Sequence, residues 1–168
     1  MNSTSTPVYR AAHVSEAPAI AAASRLHVEY GLRWRWTPTR VRQEILDPDT
    51  MVLVSSLRGD LAGFAIMHFG DERAHLQLLA VLPPYRRTGI GTAMLAWLEK
   101  SCVTAGIQQI RLEVRSANRA AREFYVRAGY KYLGQIGGYY DGHEAASVMA
   151  RELYPAAALD RHRPDKHS

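Results

Sequence analysis

The chain has 168 residues, 47% hydrophobic and 22% charged, the composition of one globular domain able to bury a single core without a staple. No apolar run reaches the ~20 residues of a membrane span. The start MNSTSTP lacks a hydrophobic signal core and the lone Cys102 excludes an internal disulfide, so a cytoplasmic protein is expected. The net charge of +5 is spread over scattered arginines, which fits a polyanionic small ligand; neither a nucleic acid nor a membrane is expected as partner.

In chain order, residues 1–6 read as a disordered leader, 7–154 as a single domain and 155–168 as a polar, basic tail. A short strand at 8–12 precedes an alanine-rich helix that starts at Ser15, runs to about residue 30 and stops at Gly31. The segment LRWRWTP then interleaves Arg33 and Arg35 with Trp34 and Trp36, whose indoles either line a substrate groove or anchor the loop to the core. A helix at 38–46 ends at Asp47-Pro48, strands at 51–56 and 61–69 form a hairpin about Arg58-Gly59-Asp60, and a further strand at 74–82 completes a meander.

Pro83 and Pro84 must end that strand, because neither can donate to a ladder. Beyond them Ile90, Met94, Trp97, Leu98 and Cys102 recur at helical spacing until Gly106, which makes Cys102 a small core residue rather than a nucleophile. Between strand and helix stands Arg86-x-x-Gly89-x-Gly91. Residues without side chains at a helix N-terminus let a phosphate reach backbone N–H groups, and Arg86 and Arg87 add cationic donors. The strand at 109–115 sets Ile110, Leu112 and Val114 against Arg111, Glu113 and Arg115, and strand–helix–strand order makes it a parallel neighbour of 74–82. Ser116 would cap a helix with Ala117, Ala120, Ala121, Phe124, Tyr125 and Ala128 on its inner stripe and Gly129 at its end. Strands at 130–140 and 145–153 flank a turn at Asp141-Gly142.

The stretch LLAVLPPYRRTGIGTA resembles motif A of the GNAT superfamily of acyl-CoA-dependent N-acetyltransferases, (Q/R)-x-x-G-x-(G/A) after a central strand. The order βααβββαβαββ is that of the GNAT fold, an α/β (α+β) architecture whose mostly antiparallel sheet contains one splayed parallel pair. The resemblance implies acetyl-CoA as co-substrate and no metal. It assigns the pyrophosphate to Arg86, Arg87, Thr88, Gly89, Ile90, Gly91 and Thr92, and the thioester and pantetheine arm to the main chain of Leu79, Ala80 and Val81 with Asn118.

The segment LEVRSANRAAREFYVRAGY is similar to the L-E-V-R-x-S-N-x-x-A-x-x-x-Y-x-x-x-G-(F/Y) block of protein N-terminal acetyltransferases, notably the bacterial ribosomal-protein alanine acetyltransferases, with its serine displaced by one place. That resemblance makes Glu113 the general base and Tyr125 the general acid toward the departing thiolate. His75, which by strand alternation shares a face with Gln77, is a rival base. GGYYDGHEAASVM resembles the YY-x-D-G-E-D-A-x-x-M ending of the same branch, one residue short after Tyr140; Tyr139 and Tyr140 either contact the substrate or pack the hairpin. The expected enzyme, a monomer or homodimer, acetylates a peptide or protein α-amine by direct attack in a ternary complex. An α-amine of pKa ~8 is partly neutral at physiological pH and so asks less of a lone carboxylate than a lysine does. A small-molecule amine (a polyamine, aminoglycoside or amino-acid derivative) is the alternative acceptor, and a catalytically silent acyl-CoA-binding module the alternative function.

Overall fold

The computed structural model describes residues 5–154; residues 1–4 of the expected leader and the whole expected tail lie outside them. The elements are β1 (Val8–Ala11), α1 (Ala17–His27), α2 (Pro38–Leu46), β2 (Thr50–Leu57), β3 (Asp60–Phe69), β4 (Arg73–Val81), α3 (Ile90–Thr104), β5 (Gln109–Arg115), α4 (Arg119–Arg127), β6 (Lys131–Tyr140) and β7 (Glu144–Glu152), in the order the sequence predicts. They form one sheet, β1-β2-β3-β4-β5-β7-β6, in which only β4 and β5 run parallel. No helix of the described residues is long and apolar enough to cross a membrane.

Period-2 alternation divides the apolar side chains between two faces. On one face α3 lays Met94, Leu95, Leu98 and Cys102 over Leu53, Ala65, Met67, Ile110 and Leu112. On the other, Ile20 and Ala21 of α1 and Val41 of α2 cover Val52, Val54, Phe64 and Ile66. Gly63 sets how closely α3 approaches, since a Cβ there would stand 2.9 Å from both the Ala80 carbonyl oxygen and Met94 Cε. Cys102 belongs to this core: its thiol donates to Met67 Sδ at 3.5 Å, and burial, helped by the charge of Glu99, pushes it up to about 12.

Two helix starts differ from expectation. Residues 14–16 make a single 3-10 turn, held by the Glu16 carboxylate that accepts from the His13 amide at 2.8 Å and pairs with Arg10 at 2.6 Å. α1 therefore begins at Ala17, with Pro18 in a first-turn position that needs no N–H. Ser116 does not cap α4. Its amide still donates to Ala145 at 2.9 Å as an extension of β5, and its hydroxyl pairs with Ser147 Oγ at 2.9 Å. The cap is Asn118, whose Oδ1 accepts from the Ala121 amide at 3.1 Å. Of the predicted stripe on α4 only Tyr125 is buried; Ala121 and Phe124 are half-buried and Ala120 is exposed, because that side of the helix faces an open groove.

Candidate active site

The groove exists because β4 and β5 separate. Their ladder runs from Arg73 opposite Gln109 to Leu76 opposite Leu112 and stops, although both strands continue. At the same point β4 is bulged against β3: Met67 faces Leu76 and Ile66 faces Leu78, leaving Gln77 as an extra residue. A bulge bends its strand and sharpens the local twist, which swings the end of β4 away from β5. It also shifts the alternation by one. Ala74 and Leu76 belong to the α3-side core, Leu78 to the α1–α2 side, and Leu79 and Val81 return to the α3 side. The unbroken alternation predicted for His75 through Leu78 therefore fails at Gln77, whose Oε1 is buried at the slot without a hydrogen-bond partner among the described residues.

A groove of about 1260 Å3 occupies the slot and is lined from both faces of the sheet. On the α3 side lie Gly89, Ile90, Gly91 and Thr92. The first helical bond of α3 runs from the Ala93 amide to the Gly89 carbonyl at 3.0 Å, so the amides of Ile90, Gly91 and Thr92 have no acceptor within the helix. Gly89 has φ 85°, and no atom lies within 4 Å of where a Cβ would stand. Arg87, at φ 61°, adopts the same left-handed conformation, and Arg86 Nε donates to the Val81 carbonyl at 3.0 Å, tying the loop to the end of β4. Thr88 alone of the predicted loop residues does not line the groove, its hydroxyl being turned back to the Tyr85 carbonyl at 2.5 Å.

Leu79, Ala80 and Val81 line the groove where β4 has lost β5 as a neighbour. Asn118 lines it too, its carbonyl oxygen committed to the α4 cap. Tyr125 reaches the groove from α4, edge-on to Phe124 at 5.1 Å and to Tyr130 at 5.5 Å. Burial, with a smaller push from Tyr140, raises its phenol well above the usual range and keeps it protonated.

From the opposite face come His75 and Glu113. Ile110, Leu112 and Val114 turn toward α3, so Glu113 turns the other way, and so does His75, flanked on β4 by the α3-facing Ala74 and Leu76. The two rival bases meet: His75 Nε2 and Glu113 Oε2 share a hydrogen bond of 2.5 Å. Tyr139 and Tyr140 stand beside them with rings 4.8 Å apart, edge to face. Both phenols are raised, chiefly by burial and also by the charge of Glu113, Tyr140 up to about 12. Trp36 lines this side, whereas Trp34 does not and packs against the second core beneath Arg25, 4.9 Å from its guanidinium.

A clamp that no local pattern announces flanks the groove on this side. Buried Glu29 accepts from Ser24 Oγ at 3.0 Å and from the amides of Arg35 at 2.7 Å and Trp36 at 3.2 Å, folding the α1–α2 loop around itself. Asp141, in the β6–β7 turn, accepts from the Arg33 amide at 2.6 Å and faces the Arg35 guanidinium at 3.4 Å. Arg115 donates to the carbonyls of Val28 at 3.0 Å and Tyr30 at 2.9 Å. Sequence spacing points to the tryptophans and arginines of the loop, but the Asp141 that holds Arg33 and Arg35 lies about a hundred residues away.

Residues 18–130 match the model of the Acetyltransferase (GNAT) family. The chain is 37% identical over 95 residues to the ribosomal protein bS18-alanine N-acetyltransferase of Escherichia coli strain K12, spanning 55% of this chain and 64% of that one. It is 33% identical over 93 residues to the aminoalkylphosphonate N-acetyltransferase of Salmonella typhimurium, spanning 52% of this chain and 60% of that one, so each match covers less than two thirds of the relative. The crystal structure of the ribosomal-protein-S18-alanine N-acetyltransferase from Escherichia coli superposes with a TM-score of 0.79 over 97% of this chain and 99% of that one, at 24% identity, a likeness of fold. With a sheet splayed at its one parallel pair, a glycine-opened helix N-terminus at the slot and a family model spanning more than half of the chain, the chain belongs to the GNAT family of N-acetyltransferases.

Proposed function

We propose that this acyltransferase moves an acetyl group from acetyl-CoA to the α-amine of a peptide or protein by direct attack, donor and acceptor entering the slot from opposite faces of the sheet. The observation that carries the reading is the groove itself, with the open α3 N-terminus on one face and the His75–Glu113 pair on the other. The residues present fit the donor: three free helix amides, Arg86 and Arg87 beside them, and open space at Gly89 suit a pyrophosphate. When bound, acetyl-CoA supplies an activated thioester. The His75–Glu113 pair takes the proton of the arriving ammonium, leaving a neutral nucleophile, and the protonated Tyr125 supplies a proton to the thiolate. Main-chain groups of Leu79 to Val81 and the Asn118 amide steady the arm between them.

Similarity to the ribosomal protein bS18-alanine N-acetyltransferase supports the peptide acceptor, as do Tyr139 and Tyr140 at the mouth. A small amine is the second reading, favoured by the loop that Asp141 holds across the acceptor side and by similarity to the aminoalkylphosphonate N-acetyltransferase. Free-thiol release from acetyl-CoA, measured against N-terminally varied peptides beside a panel of small amines, separates them. Selective release with peptides supports the α-amine reading; release with small amines alone overturns it.

The donor side has its own test. Gly89→Val forces a β-branched residue to φ 85°, at a cost on the order of 2 kcal/mol, and places its side chain where a phosphate would approach. The denaturation midpoint should fall, and KM for acetyl-CoA should rise at least tenfold with a smaller change in acceptor KM.

A further inference from the structure

The acceptor side of the groove carries more positive charge than its own carboxylates neutralise. Glu29, Glu113 and Asp141 line it, and each is engaged: Glu29 by Ser24 and two amides, Glu113 by His75, Asp141 by the Arg33 amide and the Arg35 guanidinium. Arg115 is held by two carbonyls and lies 3.6 Å from Glu144. The guanidinium groups of Arg33 and Arg40, which also line the groove, have no carboxylate partner among the described residues.

Arg40 is held in place without being neutralised. Its guanidinium lies 3.8 Å from the centroid of the Trp36 ring, and Trp36 is buried, 8% exposed, with its backbone amide fixed by Glu29. Stacking leaves the in-plane N–H donors free and orders the side chain beforehand, so a planar or tetrahedral anion can be met by two hydrogen bonds with little further loss of rotamer freedom. Arg33 stands exposed at the rim, its backbone fixed by Asp141.

Resting on the acetyltransferase reading above, we propose that Arg40 on its Trp36 platform, with Arg33, forms an anion subsite, and that the preferred acceptor is an amine bearing a carboxylate or phosphonate-like group near the nitrogen. The anion can be an acidic side chain early in a peptide or part of a small amino acid, and the test has an arm for each. Thiol release from acetyl-CoA is measured with alanine-led peptides carrying Asp, Gln or Lys at the next two positions, and with β-alanine, β-alaninamide and ethylenediamine.

The expected result is kcat/KM at least tenfold higher for the acidic member than for the basic member of one series or both, with the neutral member between; the series that responds identifies the source. About 0.5 M salt should erase most of the preference by raising KM for the acidic acceptor and not for the neutral one, a measurement on the native protein that stands even if a variant misfolds. Arg40→Met should shrink the acidic-to-basic ratio about tenfold without raising the acetyl-CoA KM. Equal rates for acidic, neutral and basic acceptors would overturn the subsite while leaving the acetyltransferase standing. A raised acetyl-CoA KM in Arg40→Met with the ratio intact would also overturn it, assigning the guanidinium to the donor. No thiol release with any amine would overturn both readings.

Discussion

Tyr125→Phe should lower turnover by on the order of a hundredfold or more while leaving the KM for acetyl-CoA within about twofold. The substitution removes one hydroxyl and keeps the ring that packs edge-on against Phe124 and Tyr130, so the fold should be unaffected. Removing a proton donor that acts only as the thiolate departs costs transition-state stabilisation and little ground-state binding. A phenol is protonated at physiological pH with or without the upward push of burial, so the proton is in place when the leaving group needs it. Circular dichroism and a thermal melt alongside the kinetics establish that the variant is folded. Unchanged turnover would take Tyr125 out of the mechanism and make it an aromatic packing residue.

Glu113→Gln and His75→Gln should each lower kcat/KM by about a hundredfold at neutral pH, and the double variant should be little worse than the more damaged single. The cause is geometric. Two groups joined by a 2.5 Å hydrogen bond act on the substrate together in the proposed mechanism, so the loss of either partner should disable the pair. Independent action would instead make the losses multiply. Raising the pH should partly rescue both single variants, because an α-amine near pKa ~8 loses its proton to solvent without help. No rescue, with multiplied losses, would assign the pair a structural role.

Features written locally in the chain were legible in it. The alternation from Ile110 to Arg115 marks the boundaries of β5 and the outward direction of Glu113, since a strand buried on one face has period 2. Gly89, Gly91 and the two prolines announce a strand ending in a phosphate-sized turn because glycine at φ 85° and proline without an N–H act through the backbone alone. Four things were not legible. The bulge at Gln77 leaves HLQLLAV looking like an uninterrupted strand, yet it changes which face Leu78 serves and where β5 parts company. The choice between Ser116 and Asn118 as cap turns on how far β5 runs, which β7 decides through the Ala145 carbonyl. The clamp of Asp141 on Arg33, and the meeting of His75 with Glu113, join residues that only the tertiary fold brings together.

In the proposed mechanism acetyl passes straight from donor to acceptor across the slot while both are bound. Cys102, the only cysteine, is fully buried in the core with its thiol pushed up to about 12, and offers no covalent way station. Initial rates of thiol release, with acetyl-CoA and the best acceptor both varied, distinguish direct transfer from a relay through the protein. Intersecting double-reciprocal lines are expected, as a ternary complex requires. Parallel lines, together with an acetylated protein isolated in the absence of acceptor, would contradict direct transfer.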